Sequence, residues 1–369
     1  MRENKWIGIC LALFLVLGIM GLPSRGCAEE LGDGTEIDRS IPVKIAGDVE
    51  NVSAGVYQTL IIKSDKSLWV CGDNSSGLLG DGTQKSRNYP EKIMDNVIRV
   101  SAGTVHSLIL KVDGSLWGFG SNINGALGSG PNTLILSPQL IMNDVRAASA
   151  GFGFSMILKN DGSLWSCGDN RYGQLGDGTT TIRFKPVHVL DHVISVSAGG
   201  YHTLILKDDR TLWACGWSEN GQFGNGTVLS SSQPVKIAED VISISAGSGD
   251  SLILKADGTL WGSGENASGQ LGDGTNKRRI SFERIMDSAE TMSASTDHTL
   301  VLKDGSLWTS GGGLNNYGQL GDGTENQRNT FKKIMSGVKG IAAGGYYSMI
   351  IKKDGSLWGC GWNGAEGLM

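Results

Sequence analysis

The sequence predicts an all-β fold: a closed seven-bladed β-propeller of four-stranded blades, its last blade completed by the N-terminal segment. Three observations predict it. The Trp of a Leu-Trp pair recurs at Trp69, Trp117, Trp165, Trp213, Trp261, Trp308 and Trp358. A second marker, Gly-Asp-Gly-Thr or a near copy, starts at Gly32, Gly80, Gly128, Gly176, Gly224, Gly272 and Gly321. Both recur at about 48 residues, within the range of about 40–50 that marks repeat architectures, where one unit buries its apolar face only against its neighbours. Finally, the last copy stops before its Gly-Asp-Gly-Thr, and the missing piece, Leu31 to Thr35 followed by Ile41 to Ile45, stands near the other end of the chain. Joined, the two halves make one blade, and ring closure is expected to remove the exposed edges of an open array.

Each element of a repeat can be read in turn from the copy at Val193–Gly226. Val193 to Ser197 alternates apolar and polar residues, which is strand periodicity. Ala198, Gly199 and Gly200 make a small-residue corner, and His202 to Lys207 is a second strand. Asp208, Asp209 and Arg210 turn the chain back, where other copies carry Asp-Gly, as at Asp113-Gly114 and Asp161-Gly162. Asp-Gly between apolar runs is a strong hairpin signal, because Gly supplies positive φ without a Cβ clash. Thr211 to Cys215 is a third strand; a glycine-rich loop and a short fourth strand near Pro234–Ile237 follow. Four short antiparallel strands per repeat are the cue for a propeller. Glycine, 56 of 369 residues, is well above the usual ~7%. It recurs at fixed repeat positions and therefore reads as turn chemistry.

Two domains are expected: residues 1–28 as an export signal and 31–369 as the propeller. Arg2 and Lys5 precede an apolar run from Trp6 to Leu22, and Gly26-Cys27-Ala28 provides small residues for cleavage. The alternative is a membrane anchor through residues 6–22. The location expected is thus secreted or cell envelope, with no membrane contact beyond that anchor. The net charge of −5 gives no footprint for nucleic acid, which calls for a basic patch. Cys71, Cys167, Cys215 and Cys360 each follow a repeat Trp by two residues and read as small buried side chains, with a Cys167–Cys215 disulfide as the alternative.

Strings such as SAGGYHTLILK and DGSLWSCGDNRYGQLGDGT, over roughly 31–369, resemble the repeats of the regulator-of-chromosome-condensation family. The export signal marks the chain as an exported, bacterial-type member. The resemblance implies a seven-bladed propeller. The founding members are guanine-nucleotide exchange factors for a small GTPase, acting through a protruding hairpin wedge. Near-constant repeat spacing leaves no room for such a wedge here, so exchange is not expected. Export, length and ring size are also similar to secreted bacterial propellers that inhibit β-lactamases.

Strand parity places the SAG corners and the loops after Trp-x-x-Gly on one face, where departures from the repeat mark a site. The residues expected to bind a partner there are Tyr57, Phe152, Phe154, Tyr201, Trp217, Asp250, Tyr346, Tyr347 and Trp362. Trp and Tyr offer large contact area at low entropy cost. Tyr172 and Tyr317 share one slot before Gly-Gln-Leu-Gly and read as packing against the next blade. His106, His202 and His298 recur at one position and read as structural. No catalytic, cofactor-binding or metal-ligating set emerges. The Asp of Gly-Asp-Gly-Thr lacks the further carboxylates that calcium needs and reads as a side-chain-bonded turn. The function expected is an exported, non-enzymatic, monomeric scaffold for a protein partner. The alternatives are a glycan-binding propeller, a β-lactamase-inhibitor-like protein, and a hydrolase or lyase at the channel mouth.

Overall fold

The computed structural model describes residues 30–131, 133–313 and 316–364. The expected export segment, 1–28, lies outside the described residues. Among those described, no helix is long and apolar enough to cross a membrane. The described chain forms seven antiparallel four-stranded sheets. Blades 1 to 6 span 49–94, 97–142, 145–190, 193–238, 241–286 and 289–336; blade 7 combines 338–361 with 39–46.

Blade 4 shows the common plan. Its strands are Val193–Ala198, His202–Lys207, Leu212–Gly216 and Ser231–Ala238, hydrogen-bonded in that order. The first strands of successive blades lie beside one another around the centre. The second strand is buried from His202 to Leu206, and the fourth is half-buried apart from two exposed positions, Gln233 and Lys236. Leu204, Ile205 and Leu206 are at most 1% exposed, and burying each stabilises by about 1.5–3 kcal/mol. Leu204 and Leu206 pack with Phe223 toward Val241 and Ile253 of blade 5, so that each core lies between two blades.

The outer hairpins are three-residue loops ending in a left-handed residue. Gly114 takes φ 78° and donates its N–H to the Lys111 carbonyl; Arg210 takes φ 63° at the equivalent place in blade 4. Below each loop runs a relay. In blade 3 the Trp165 indole donates to Ser163 Oγ at 3.0 Å, and Ser163 Oγ donates to Asp161 Oδ1 at 2.6 Å. Blade 6 is one residue shorter here, Lys303-Asp304-Gly305-Ser306, and the Trp308 indole finds no acceptor.

The expected closed propeller is corrected in one respect. No sheet closes: all seven are open, with an edge strand on either side, because blades are hydrogen-bonded within themselves and meet face to face. The chain's two described ends meet inside one open sheet, where Arg39–Ala46 pairs antiparallel with Leu357–Gly361 as the outer strand of blade 7. Short links carry the chain from one blade to the next, Gly47-Asp48 and Asp95-Asn96 among them. The residue before each new blade is left-handed: Asp48, Asn96, Asp144, His192, Asp240, Ser288 and Gly337 have φ between 57° and 73°. Asp and Asn tolerate this region better than most residues.

Candidate functional site

The corner-and-loop face rests on two structural rings. The outer ring is the Gly-Asp-Gly-Thr turn. Asp177 Oδ1 accepts from the Thr179 N–H at 3.0 Å, the Thr179 hydroxyl at 2.8 Å and Asn170 Nδ2 at 3.0 Å; Arg183 Nε reaches its Oδ2 at 2.6 Å. Burial pushes this carboxyl up, but the bonds from Thr179 and Arg183 outweigh it and hold the pKa below the usual range. Asp33, Asp81, Asp273 and Asp322 are clasped in the same way by Arg39, Arg87, Arg279 and Arg328.

The inner ring joins the blades. In five of the seven blades the residue that opens the second strand reaches for the Ser or Thr one position further along in the next blade. His106 Nε2 lies 2.9 Å from Ser155 Oγ, His202 Nε2 2.9 Å from Ser251 Oγ, and His298 Nε2 3.0 Å from Ser348 Oγ. Burial lowers the pKa of His106 and of His202 to about 4, so both rings are neutral near pH 7. Gln58 fills this position in blade 1 and Tyr347 in blade 7, where the Tyr347 hydroxyl donates to the Gln58 carbonyl at 2.6 Å. The corner glycines permit the approach: a Cβ on Gly199 would stand 2.5 Å from the Gly247 carbonyl.

Three of the residues expected on the binding face therefore belong to this joint. Phe154 and Tyr347 are fully buried and Asp250 is 1% exposed, because all three open a second strand and point into a blade seam. Asp250 is the anomaly of the ring. A carboxylate is shorter than an imidazole, and neither its oxygens nor the Thr299 hydroxyl across the seam has a hydrogen-bond partner. Burial first, then the charge of Glu265, and to a lesser degree Asp297, pushes the Asp250 pKa well above the usual carboxylate range.

The other expected residues gather into two aromatic patches, which also shows that corners and loops share a face. In the first, Tyr201 lies 5.3 Å from Phe152, 5.0 Å from Tyr172 and 6.4 Å from Trp217 between ring centroids. Tyr172 lies 6.3 Å from Trp217. In the second, Trp362 lies 6.2 Å from Tyr57 and 6.0 Å from Tyr317, and Tyr317 lies 5.9 Å from Tyr346. Tyr57, Phe152, Tyr201, Trp217 and Tyr346 are half-buried, whereas Trp362 is only 8% exposed. Tyr172, expected to pack away, is 44% exposed at the head of its patch. Beside it Arg171 clamps the buried Asp169 through Nε and Nη2 at 3.0 and 2.9 Å. The cysteines at 71, 167, 215 and 360 are buried and form no disulfide, the thiols of the last three pushed up to about 12 by burial. Among the described residues no group of three or more His, Cys, Asp or Glu side chains could hold a metal ion.

Comparison with known proteins follows this geometry. Human WBSCR16 is similar over 91% of this chain and 96% of its own, with a TM-score of 0.78 and 19% identity. Prp20p from Saccharomyces cerevisiae, characterised with its binding to Gsp1p and histones, is similar over 85% and 82%, with a TM-score of 0.73 and 19% identity. Yeast RCC1 (Prp20) bound to Kap60 gives 85% and 80%, a TM-score of 0.71 and 18% identity. No curated protein matches the sequence. Four expectations from the sequence are withdrawn against the fold shared with Prp20: secreted or membrane-anchored location, a bare scaffold, the absence of enzyme-like activity, and the absence of exchange. The bacterial-type origin expected from the export signal gains no support from these relatives. The Regulator of chromosome condensation (RCC1) repeat matches residues 65–110, and the RCC1-like domain matches residues 94–368. With three quarters of its length matched, the chain belongs to the RCC1-like domain family.

Proposed function

We propose that this chain is a protein-binding propeller, spanning 31–369, whose activity is linked to guanine-nucleotide exchange on a small GTPase inside the cell. The observation that carries the docking role is the pair of aromatic patches on one face, both built on hydrogen-bonded scaffold. The exchange role rests on family membership and on the fold shared with Prp20. Exchange requires no bond-making side chain. A propeller that binds the nucleotide-free partner more tightly than the loaded one weakens nucleotide binding by the same factor. Moving that equilibrium from 1:99 to 99:1 takes a differential of about 5.5 kcal/mol, within reach of a few buried aromatic anchors.

The test is release of a fluorescent GDP analogue from Gsp1p, and from its counterpart in the producing organism, with and without the full-length chain. Faster release that is lost in a Tyr172→Ala/Trp217→Ala variant supports the reading. Unchanged release, with no complex seen by sedimentation, overturns it.

A further inference from the structure

The two aromatic patches are one constellation used twice. Tyr317, Tyr346 and Trp362 each stand 145 positions after Tyr172, Tyr201 and Trp217. The geometry repeats with the spacing. Tyr172 and Tyr201 are inclined at 59°, as are Tyr317 and Tyr346; Tyr172 and Trp217 are inclined at 49°, Tyr317 and Trp362 at 50°. An offset of three blades sets the patches apart on the face, one over blades 3 and 4, the other over blades 6 and 7.

The shorter arc between them, over blades 4 to 6, is acidic. Glu219 is exposed at its start, and Glu265 and Asp297 follow at the heads of blades 5 and 6. Glu265 accepts only the Ala267 N–H at 3.1 Å; Asp297 faces His298 Nδ1 at 3.2 Å and Gln319 Nε2 at 3.3 Å. Among the described residues neither forms an ion pair with Lys or Arg. At the rim Arg278 donates to the Glu219 carbonyl at 3.1 Å. Both carboxylates act on the buried Asp250 carboxyl, so the three acidic groups share one region. On the longer arc Val105 and Ser121 are uncharged, Asp73 accepts from Ser75 and Ser86, and Asp38 accepts the Asn363 N–H at 2.7 Å.

We propose that this face grips its partner through a basic protein segment. Lys or Arg side chains of that segment lie over Glu265 and Asp297, and an apolar or guanidinium group at each end rests on one aromatic patch. Opposite potentials steer encounter and fix register, and cations are held over Tyr and Trp faces as well as by carboxylates. The inference rests on the docking role proposed above and adds the chemistry of the partner.

The test uses three fluorescein-labelled 20-residue peptides, each reaching about 65 Å when extended. All carry a Leu-Leu pair near each end; the middle is Lys/Arg-rich, Gln-rich or Glu-rich. Anisotropy with the full-length chain should rank the basic peptide at least tenfold tighter than the Gln peptide, with affinity falling as salt rises. Glu265→Gln/Asp297→Asn should weaken the basic peptide about fivefold, as two partly exposed ion pairs allow, and leave the Gln peptide unchanged. Tyr172→Ala and Tyr317→Ala should each weaken both peptides. Equal affinity for all three peptides, no binding of the basic one, or indifference to the double carboxylate variant overturns the inference. Charge-dependent binding without accelerated nucleotide release would keep this inference and overturn the exchange reading; accelerated release without charge preference would do the reverse.

Discussion

Replacing Asp250 by asparagine is expected to stabilise the protein by an amount that grows with pH. The carboxyl is 1% exposed, its oxygens lack partners, and burial together with Glu265 raises its pKa well above the usual range. The folded protein then keeps a proton that the unfolded chain has released. From the ordinary carboxylate pKa up to the raised native one, the folded state holds more protons, so stability falls as pH rises. The limiting slope is about 1.4 kcal/mol per pH unit. Above the native pKa the loss is constant. Asparagine has the same shape and no titration, so the variant escapes the loss: no advantage near pH 3.5, and one that widens with pH until the native carboxyl ionises. The assay is urea unfolding followed by Trp fluorescence from pH 3.5 to 8, comparing the two proteins at each pH. Parallel stability curves would refute the reasoning, because a carboxyl that ionises normally has found a partner. Asp250→His is a second check. It restores the reach that His202 has to Ser251, here toward Thr299, and should add about 1 kcal/mol.

Tyr347→Phe removes the hydroxyl bonded to the Gln58 carbonyl at 2.6 Å; that carbonyl keeps the Gly55 N–H at 2.8 Å, so the loss should be about 0.5–1.5 kcal/mol in the same unfolding assay. The native pKa of His202, lowered to about 4, means that the unfolded chain protonates first as pH falls. The stability it contributes is full above about 6.5 and is lost on the way down to about 4. His202→Gln, borrowing the residue used at position 58, should lessen that acid sensitivity, read as the difference in urea midpoint between pH 7 and pH 4.5. Cys167, Cys215 and Cys360 are buried with thiols pushed up to about 12, so site-resolved iodoacetamide labelling at pH 8 should find them unreactive until urea unfolds the propeller.

The blades were legible because their determinants are local. An Asp-Gly turn, a Leu-Trp strand and an SAG corner each specify their own geometry, and repetition at nearly constant spacing carries it around the molecule. The sheets' open edges were not legible, since spacing alone does not say whether blades join by hydrogen bonds or by faces. At the site, half-buried Tyr57, Phe152 and Tyr201 were readable as corner departures. Phe154, Asp250 and Tyr347 were misplaced because the residue beside a corner points into the seam, a matter of strand parity at a single position. Tyr172 and Tyr317 were set aside for sharing a slot, when that sharing was the signal: compared with Tyr201, Trp217, Tyr346 and Trp362, it shows one triad written twice. The solitude of Asp250 depends on how far a side chain reaches across a gap, which no spacing conveys.

The place where the two described ends of the chain meet has a mechanical meaning. Every junction between neighbouring blades is crossed by a short covalent link, the one from blade 7 to blade 1 included, through Gly47-Asp48. The two described ends lie side by side inside blade 7, where Arg39–Ala46 is held against Leu357–Gly361 by backbone pairing. A load that parts neighbouring blades therefore meets a covalent link at each junction as well as an apolar face. Inside blade 7 the same load meets a ladder of main-chain hydrogen bonds with no covalent link beside it, so that sheet is where the molecule yields first.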